Sequence, residues 1–204
     1  MTTTILTVRR LLLDDLSDLP AAWYGDDVHV TTFWNALSAV FPEGENFFVR
    51  AVRAHRALIT DDALRDRLDA FVGQEAAHGV GHRAFNRAVA QSFPSMERVD
   101  REVRFLLKKV APTLFNDRQQ LAVTCALEHF TSILASQLLE DARHRGACLH
   151  EGTTRLWMWH AFEELEHEDV AFDVYMAAGG NAFERRWIML VTTVLFGLFV
   201  AYFY

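Results

Sequence analysis

Four long segments with helical apolar periodicity constrain the fold of this chain more than any other feature. They run from about 32 to 60, 62 to 92, 117 to 145 and 153 to 178. Within each segment apolar residues recur every three or four positions, which places them on one face of an α-helix. Runs of alternating apolar and polar residues, which indicate strands, are missing from the sequence. The pattern therefore predicts an all-α fold.

The lengths of the connections indicate how these helices are arranged. The first and second helices are joined by a short link, as are the third and fourth, so each pair is predicted to form an antiparallel hairpin. The link between the hairpins is longer and contains a further predicted helix, about 95–110, that ends before Pro112. Pro42 lies inside the first helix and is expected to kink it. Two hairpins joined by a long crossover predict a ferritin-like four-helix bundle with a crossover helix.

Ionisable residues interrupt the apolar faces of all four helices. The second and fourth helices each carry a Glu-x-x-His motif, in which the spacing places both side chains on one helix face. The first and third helices each add one glutamate. Unpaired carboxylates are costly to bury, so carboxylates at core positions are expected to be paired or bound to metal. The predicted metal ligands are Glu45, Glu75, His78, Glu128, Glu164 and His167.

This combination is the ligand set of di-iron and di-manganese carboxylate bundles, in which two helices give one glutamate and two give a Glu-x-x-His motif. Carboxylate and imidazole ligands without thiolates favour two iron ions, with manganese as the alternative and zinc less favoured. Glu43 competes with Glu45 but lies off the apolar face. Glu163, Glu166 and Glu168 also lie off that face and are expected to be solvated.

Two further histidines make the predicted site asymmetric. His82 follows His78 by one turn and His160 precedes Glu164 by one turn, so in an antiparallel arrangement both fall on the same side of the metals. Each is either a hydrogen-bonded core histidine or a functional group that acts as an extra ligand or proton shuttle. We expect His82 and His160 to be catalytic. His55 is expected to be structural, and Cys125 to be a small core residue.

The motifs around these residues resemble those of a bacterial family described as predicted metal-dependent hydrolases, a ferritin-like group. The matching stretches are Trp34-Asn35-Ala36-Leu37-Ser38, Phe41-Pro42-Glu43-Gly44-Glu45, Gln74-Glu75 with His78 and His82, Glu128-His129-Phe130-Thr131, and Trp159-His160 through Glu164, His167 and Ala171-Phe172-Asp173. The His160-x-x-x-Glu164-x-x-His167 motif is also similar to the seven-ligand site of di-iron arylamine N-oxygenases. That second resemblance implies that His160 is a seventh ligand.

The end of the chain has a different composition. Residues 187–204 carry no charged side chain and follow Arg185 and Arg186. A helix of this length spans about 27 Å, close to the thickness of a bilayer core. The preceding arginines and the aromatic residues at both ends (Trp187, Tyr202, Tyr204) are typical of a membrane anchor whose domain lies on the cytoplasmic side. A buried fifth helix or an oligomer contact, as in a homodimer, is the open alternative.

These features divide the chain into a predicted metal domain, 1–182, and an apolar C-terminal helix, 183–204. The net charge is −7 and no basic block occurs, so a nucleic-acid partner is not expected. The two cysteines form no CxxC motif, which fits a reducing cytoplasmic compartment. We expect the protein to lie in the cytoplasm at the inner membrane, held there by its C-terminal helix.

The sequence leaves three functions to compare. The leading prediction is a di-iron, O2-dependent oxidase or oxygenase acting on a small apolar, aromatic or lipidic substrate, with an unidentified electron donor. The alternative is a dinuclear metal-dependent hydrolase that uses a metal-activated water. A non-enzymatic iron store or structural metal bundle is the third, and the extra histidines argue against it.

Overall fold

The part of the chain that the structure describes, residues 6–11, 16, 18–144 and 146–203, is helical. In this computed structural model the described residues form the α-helices α1 (Val28–Arg53), α2 (Asp62–Val89), α3 (Ser95–Phe105), α4 (Ala111–Leu114), α5 (Asp117–Glu140), α6 (Glu151–His167), α7 (Val170–Ala177) and α8 (Ala182–Phe203). A 3-10 turn occupies Arg56–Leu58 and a π-helix occupies Leu106–Val110. Over the described ranges extended pairing is limited to an isolated bridge between Tyr24 and Cys148. The all-α prediction is confirmed.

Side-chain caps determine where the long helices begin. The Asp27 carboxylate accepts hydrogen bonds from the backbone N–H groups of His29 and Val30, so α1 begins earlier than predicted. It also ends earlier, at Arg53, and the predicted end near 60 was wrong because a 3-10 turn follows. Asn116 and Gln119 form a capping box at the start of α5, where the sequence predicted a helix to begin.

Contacts between the helices establish their directions. Ser38 of α1 bonds to Asn86 of α2, while Glu45 further along α1 approaches Gly79 earlier in α2. The residue numbers run in opposite senses, so α1 and α2 are antiparallel. The same holds for α2 and α6, since His82 contacts His160 and Gln74 contacts Glu166. With α5 packed against α1 and α6, these segments form a helical bundle.

Two predicted helices are interrupted in ways that the sequence pattern did not indicate. The fourth helix divides into α6 and α7, with a turn at residues 168–169 where Asp169 pairs with Arg67 of α2. The crossover helix does not end before Pro112. It passes through the π-helix into α4, and Pro112 lies in the first turn of α4.

Two apolar clusters fill the bundle and leave a polar layer between them. One cluster contains Trp34, Phe85 and Trp157, and the other contains Phe71, Leu121 and Val174. Along each long helical segment the two clusters are separated by one stretch, and these stretches carry the predicted ligands apart from His160, which lies at the edge of the first cluster. The apolar clusters therefore hold the ligand-bearing stretches at one height in the bundle.

The C-terminal helix α8 packs along α5 with one face only. Ile188 and Thr192 are buried, and the ring of Phe196 stacks on Phe130 with centroids 5.9 Å apart. The opposite face exposes large apolar side chains, among them Trp187 and Leu198. The segment Ala182–Tyr202 is long and apolar enough to cross a membrane, which by itself is weak support for an anchor. The anchor and the division at 182/183 stay predictions, and Tyr204 lies outside the described residues.

Candidate metal centre

The polar layer brings all seven predicted ligands together in the interior of the bundle. Glu75, His78, Glu164 and His167 each offer one ligand atom within 4.8 Å of the others, and Glu45, His78 and His160 form a second such group. Glu128 joins them through His167, whose Nδ1 lies 3.2 Å from Glu128 Oε2. All seven side chains are buried. The two groups share His78, so the cluster is continuous.

Many of the buried ligand atoms have no hydrogen-bond partner among the described residues. These atoms are both carboxylate oxygens of Glu45 and of Glu75, one oxygen each of Glu128 and Glu164, Nδ1 of His78 and Nε2 of His167. A buried polar atom without a partner costs free energy, and native structures contain few of them. Their concentration at one place, with carboxylate and imidazole donors facing one another, fits bound cations.

The electrostatics of the cluster lead to the same conclusion. Burial and the neighbouring Glu164 raise the pKa of Glu45 well above its ordinary value, and burial and Glu128 do so for Glu75. Burial together with Glu164 raises the pKa of Glu128 to about 7. Burial also raises the pKa of Glu164, but the His160 hydrogen bond and nearby imidazoles outweigh it and lower that pKa below its usual range. Four carboxylates crowded together carry a charge that two divalent cations would neutralise.

A hydrogen-bonded chain fixes the orientation of His160. Asn86 Nδ2 donates to the carbonyl of Ser38, so its Oδ1 accepts from the Ser38 hydroxyl. That hydroxyl therefore accepts from Nδ1–H of His82, at 2.7 Å. Burial lowers the pKa of His82 well below its ordinary value, and the neutral ring accepts from Nδ1–H of His160 at 2.6 Å. The lone pair of His160 Nε2 then faces Glu164 Oε1 at 2.8 Å, a contact that requires a proton or a cation between them.

Pro42 contributes to this series of hydrogen bonds by freeing a backbone acceptor. Because proline has no N–H, the carbonyl of Ser38 four residues earlier loses its helical partner. Asn86 Nδ2 takes that place, 3.0 Å from the carbonyl oxygen. The proline inside α1 therefore frees the acceptor that orients Asn86, and through it Ser38 and His82.

Glu163 corrects the sequence prediction. It was expected to be solvated, but its side chain is fully buried and its Oε2 lies 3.0 Å from Nε2 of His78. Its Oε1 accepts from Arg9, which also pairs with Glu166. By accepting from Nε2–H of His78, the Glu163 carboxylate leaves Nδ1 of that ring as a lone pair towards the cluster, the outer contact usual for a metal-binding histidine.

The other acidic residues considered as ligands lie outside the cluster. Glu43 is buried but points away from the cluster and pairs with Arg104 and Lys108. Glu168 is exposed, as predicted, and Glu166 is half-buried. Beyond the bundle centre, two residues behave as structural groups. His55 bonds through Nδ1 to the carbonyl of Ala51 at 2.8 Å, and burial raises the pKa of Cys125 to about 12.

Gly79 is a residue of the site that the sequence did not indicate. A Cβ at this position would lie 3.1 Å from Glu45 Oε2, which is closer than about nine in ten Cβ contacts. The missing side chain on α2 therefore gives the Glu45 carboxylate the space to enter the cluster. Glycine lowers helix stability, and its presence in the middle of α2 is explained by this close approach.

Comparison with known proteins identifies the family. The sequence model of the family described as "Predicted metal-dependent hydrolase" matches residues 7–204. Searches of curated proteins and of solved structures return no significant match. Because the family match extends over nearly the whole chain, the protein belongs to the predicted metal-dependent hydrolase family.

Proposed function

We propose that this member of the predicted metal-dependent hydrolase family is a dinuclear metal enzyme that hydrolyses its substrate with an activated water. The observation that carries the proposal is the set of buried carboxylate and imidazole atoms that face one another without hydrogen bonds, on Glu45, Glu75, His78 and their neighbours. The family description supports hydrolysis over the oxidative chemistry that the ligand pattern alone suggested.

We further propose that the cluster takes two ions within a ferritin-like bundle. Glu45 and His160 would serve one end, Glu128 and His167 the other, and Glu75, His78 and Glu164 lie between them. Iron or manganese fits this oxygen-rich set, which contains no thiolate. The chemistry that two such ions supply when bound is activation of water and stabilisation of negative charge on a leaving oxygen.

The residues of the chain have separate tasks in this proposal. Glu163 holds His78 in the orientation that points Nδ1 inward. Ser38 and His82 hold His160 in the tautomer that points Nε2 inward. His82 is itself outside both candidate ligand groups, and because its Nε2 accepts from His160 it would act on the site through that ring, as a positioning residue.

An O2-dependent oxidase or oxygenase is the second candidate. The observation that favours it is a cavity at Glu45 whose wall is almost entirely apolar. Such a wall suits a substrate without polar groups, which has no bond that water can easily break. This candidate needs iron and an external electron donor, and the hydrolase needs neither.

The two candidates predict opposite metal and oxygen requirements. The protein would be loaded with manganese, zinc or ferrous iron without oxygen and assayed on ester, amide and phosphoester substrates, and the ferrous form would then be assayed for O2 uptake. Turnover without oxygen, abolished in Glu75→Gln and retained in the exposed control Glu168→Gln, is the result expected of the hydrolase. O2 consumption with ferrous iron and no anaerobic turnover would replace the hydrolase with the oxidase.

A further inference from the structure

An apolar cavity of about 320 Å³, here called the inner cavity, lies between α1, the π-helix, α5 and α8. Its wall is built from leucine, valine and phenylalanine side chains. Among the described residues that line it, Glu45 is the single ionisable one. The inner cavity therefore has an apolar body and one end at the metal centre, which is the form expected of a binding site for the apolar part of a substrate.

A small void of about 20 Å³ lies next to the inner cavity on the imidazole-rich side of the centre. His160 and Glu164 are among the residues that line it. Four residues, Leu37, Phe41, Thr131 and Leu134, line both the void and the inner cavity. A substrate in the inner cavity would thus approach the metals from the side that carries His160 and His82.

A second apolar cavity adjoins the inner cavity along α1, α5 and α8. This outer cavity of about 410 Å³ shares Leu37, Val40, Phe130 and Leu134 with it and extends along α8 to Gly197 and Val200. None of the described residues lining the outer cavity is ionisable. The two cavities in series form an elongated apolar tract, which fits a long flexible chain better than a compact ring.

Two local features keep the inner cavity open. Gly44 is buried, yet a Cβ built on it would meet nothing within 4 Å, so the absence of a side chain leaves space next to Glu45. On the opposite wall Leu106, Leu107 and Val110 come from the π-helix, a rare conformation that is frequent at functional sites. Both features are less favourable than an ordinary α-helix, and both border the same space.

We propose that this tract binds the substrate as an unbranched acyl chain, with its polar reactive group at Glu45 and the chain directed along α8 towards Gly197. The assignment rests on the proposed function for the chemistry at the metals, but the binding of the chain itself does not need activity. Apart from Glu45 and two threonines, the residues that line the inner cavity are glycine or apolar, so burial of methylene groups supplies the binding free energy.

The test is direct binding of cis-parinaric acid, an unbranched fluorescent fatty acid, to the purified protein with and without manganese, and its displacement by palmitic acid. Gly44→Leu fills the inner cavity and is expected to weaken binding by about tenfold or more, as overpacking does. Asn46→Leu adds the same side chain at an exposed position of α1 and is expected to leave binding unchanged. Gly44→Ala, which improves helix propensity, serves as a second variant with an intermediate loss.

The outcomes separate the two proposals. Wild-type binding that is lost in Gly44→Leu and kept in Asn46→Leu supports the acyl-chain site. Absence of binding to the wild type overturns the acyl-chain site. Equal binding by Gly44→Leu and the wild type also overturns it, because the fatty acid would then bind elsewhere, such as on the exposed face of α8. Fatty-acid binding by a protein that takes up no metal would instead contradict the proposed function and leave the acyl-chain site standing.

Discussion

Replacing Glu163 by glutamine is expected to weaken metal binding without unfolding the protein. The carboxylate is fully buried, accepts from His78 Nε2 at 3.0 Å and is held from behind by Arg9 at 3.2 Å. A hydrogen bond to a charged group contributes about 1.5–3 kcal/mol, against about 0.5–1.5 kcal/mol for a neutral pair, so the charge alone is worth roughly 1 kcal/mol. The orientation of the imidazole is also loosened, because the glutamine NH2 faces the Arg9 guanidinium.

Removal of an outer hydrogen-bond partner of a metal-binding histidine typically lowers metal affinity by about ten- to a hundredfold. That range corresponds to about 1.4–2.7 kcal/mol, which agrees with the structural estimate once the loss of orientation is added. The assay is competition for ferrous iron or manganese against a chromophoric chelator under nitrogen, with circular dichroism to verify the fold.

Glu166→Gln is the matched control. Glu166 lies on the same helix and pairs with the same arginine, but it does not contact His78. Its substitution is expected to change metal affinity by less than about twofold, as surface substitutions away from a site usually do. Equal affinity of Glu163→Gln and the wild type, or equal losses in both variants, would refute the role given to Glu163.

Three further predictions concern small and sulfur-containing residues. Gly44→Ala should raise the free energy of unfolding by about 0.5–1 kcal/mol in urea titrations, because a helical glycine is replaced where a Cβ meets open space; a lower stability would mean that the space is filled. Gly79→Ala should displace the Glu45 carboxylate and reduce the metal content per folded chain, measured by mass spectrometry, whereas an unchanged content would contradict the role given to Gly79. Burial raises the pKa of Cys125 to about 12 and of Cys148 to about 11. Iodoacetamide at about pH 8 should therefore alkylate the folded protein more than about a hundredfold slower than the urea-unfolded chain. Equal rates for the two forms would contradict the burial of these thiols.

The sequence predicted the members of the buried cluster better than it predicted the residues that hold them in place. Glu75 and His78 were recognisable because they interrupt an apolar face, and a face is a local property that the helical period reveals. Glu163 could not be found in this way, because it lies beside Glu164 and off that face. Its partners are His78 on another helix and Arg9, 154 positions away in the chain. Only the packed structure brings these three together.

The ends of the helices also depend on contacts that the local sequence pattern does not reveal. The end of α1 near Arg53 and the break after His167 are not marked by glycine or proline, so periodicity ran through both. The break is stabilised by Asp169 and Asp173, which both pair with Arg67 of α2, a tertiary contact. Gly44 and Gly79 look like weak points of their helices in the sequence, and their use becomes visible only when neighbouring helices define the space around them.

We propose that the buried glutamate and histidine cluster holds two metal ions. Metal analysis of protein purified from iron-supplied cells, combined with an anomalous-scattering map of its crystals recorded at the iron absorption edge, tests this proposal. We expect two ions per chain, both inside the cluster formed by Glu45, Glu75, His78, Glu128, His160, Glu164 and His167. A folded protein that contains no metal, or ions bound outside this cluster, would contradict it.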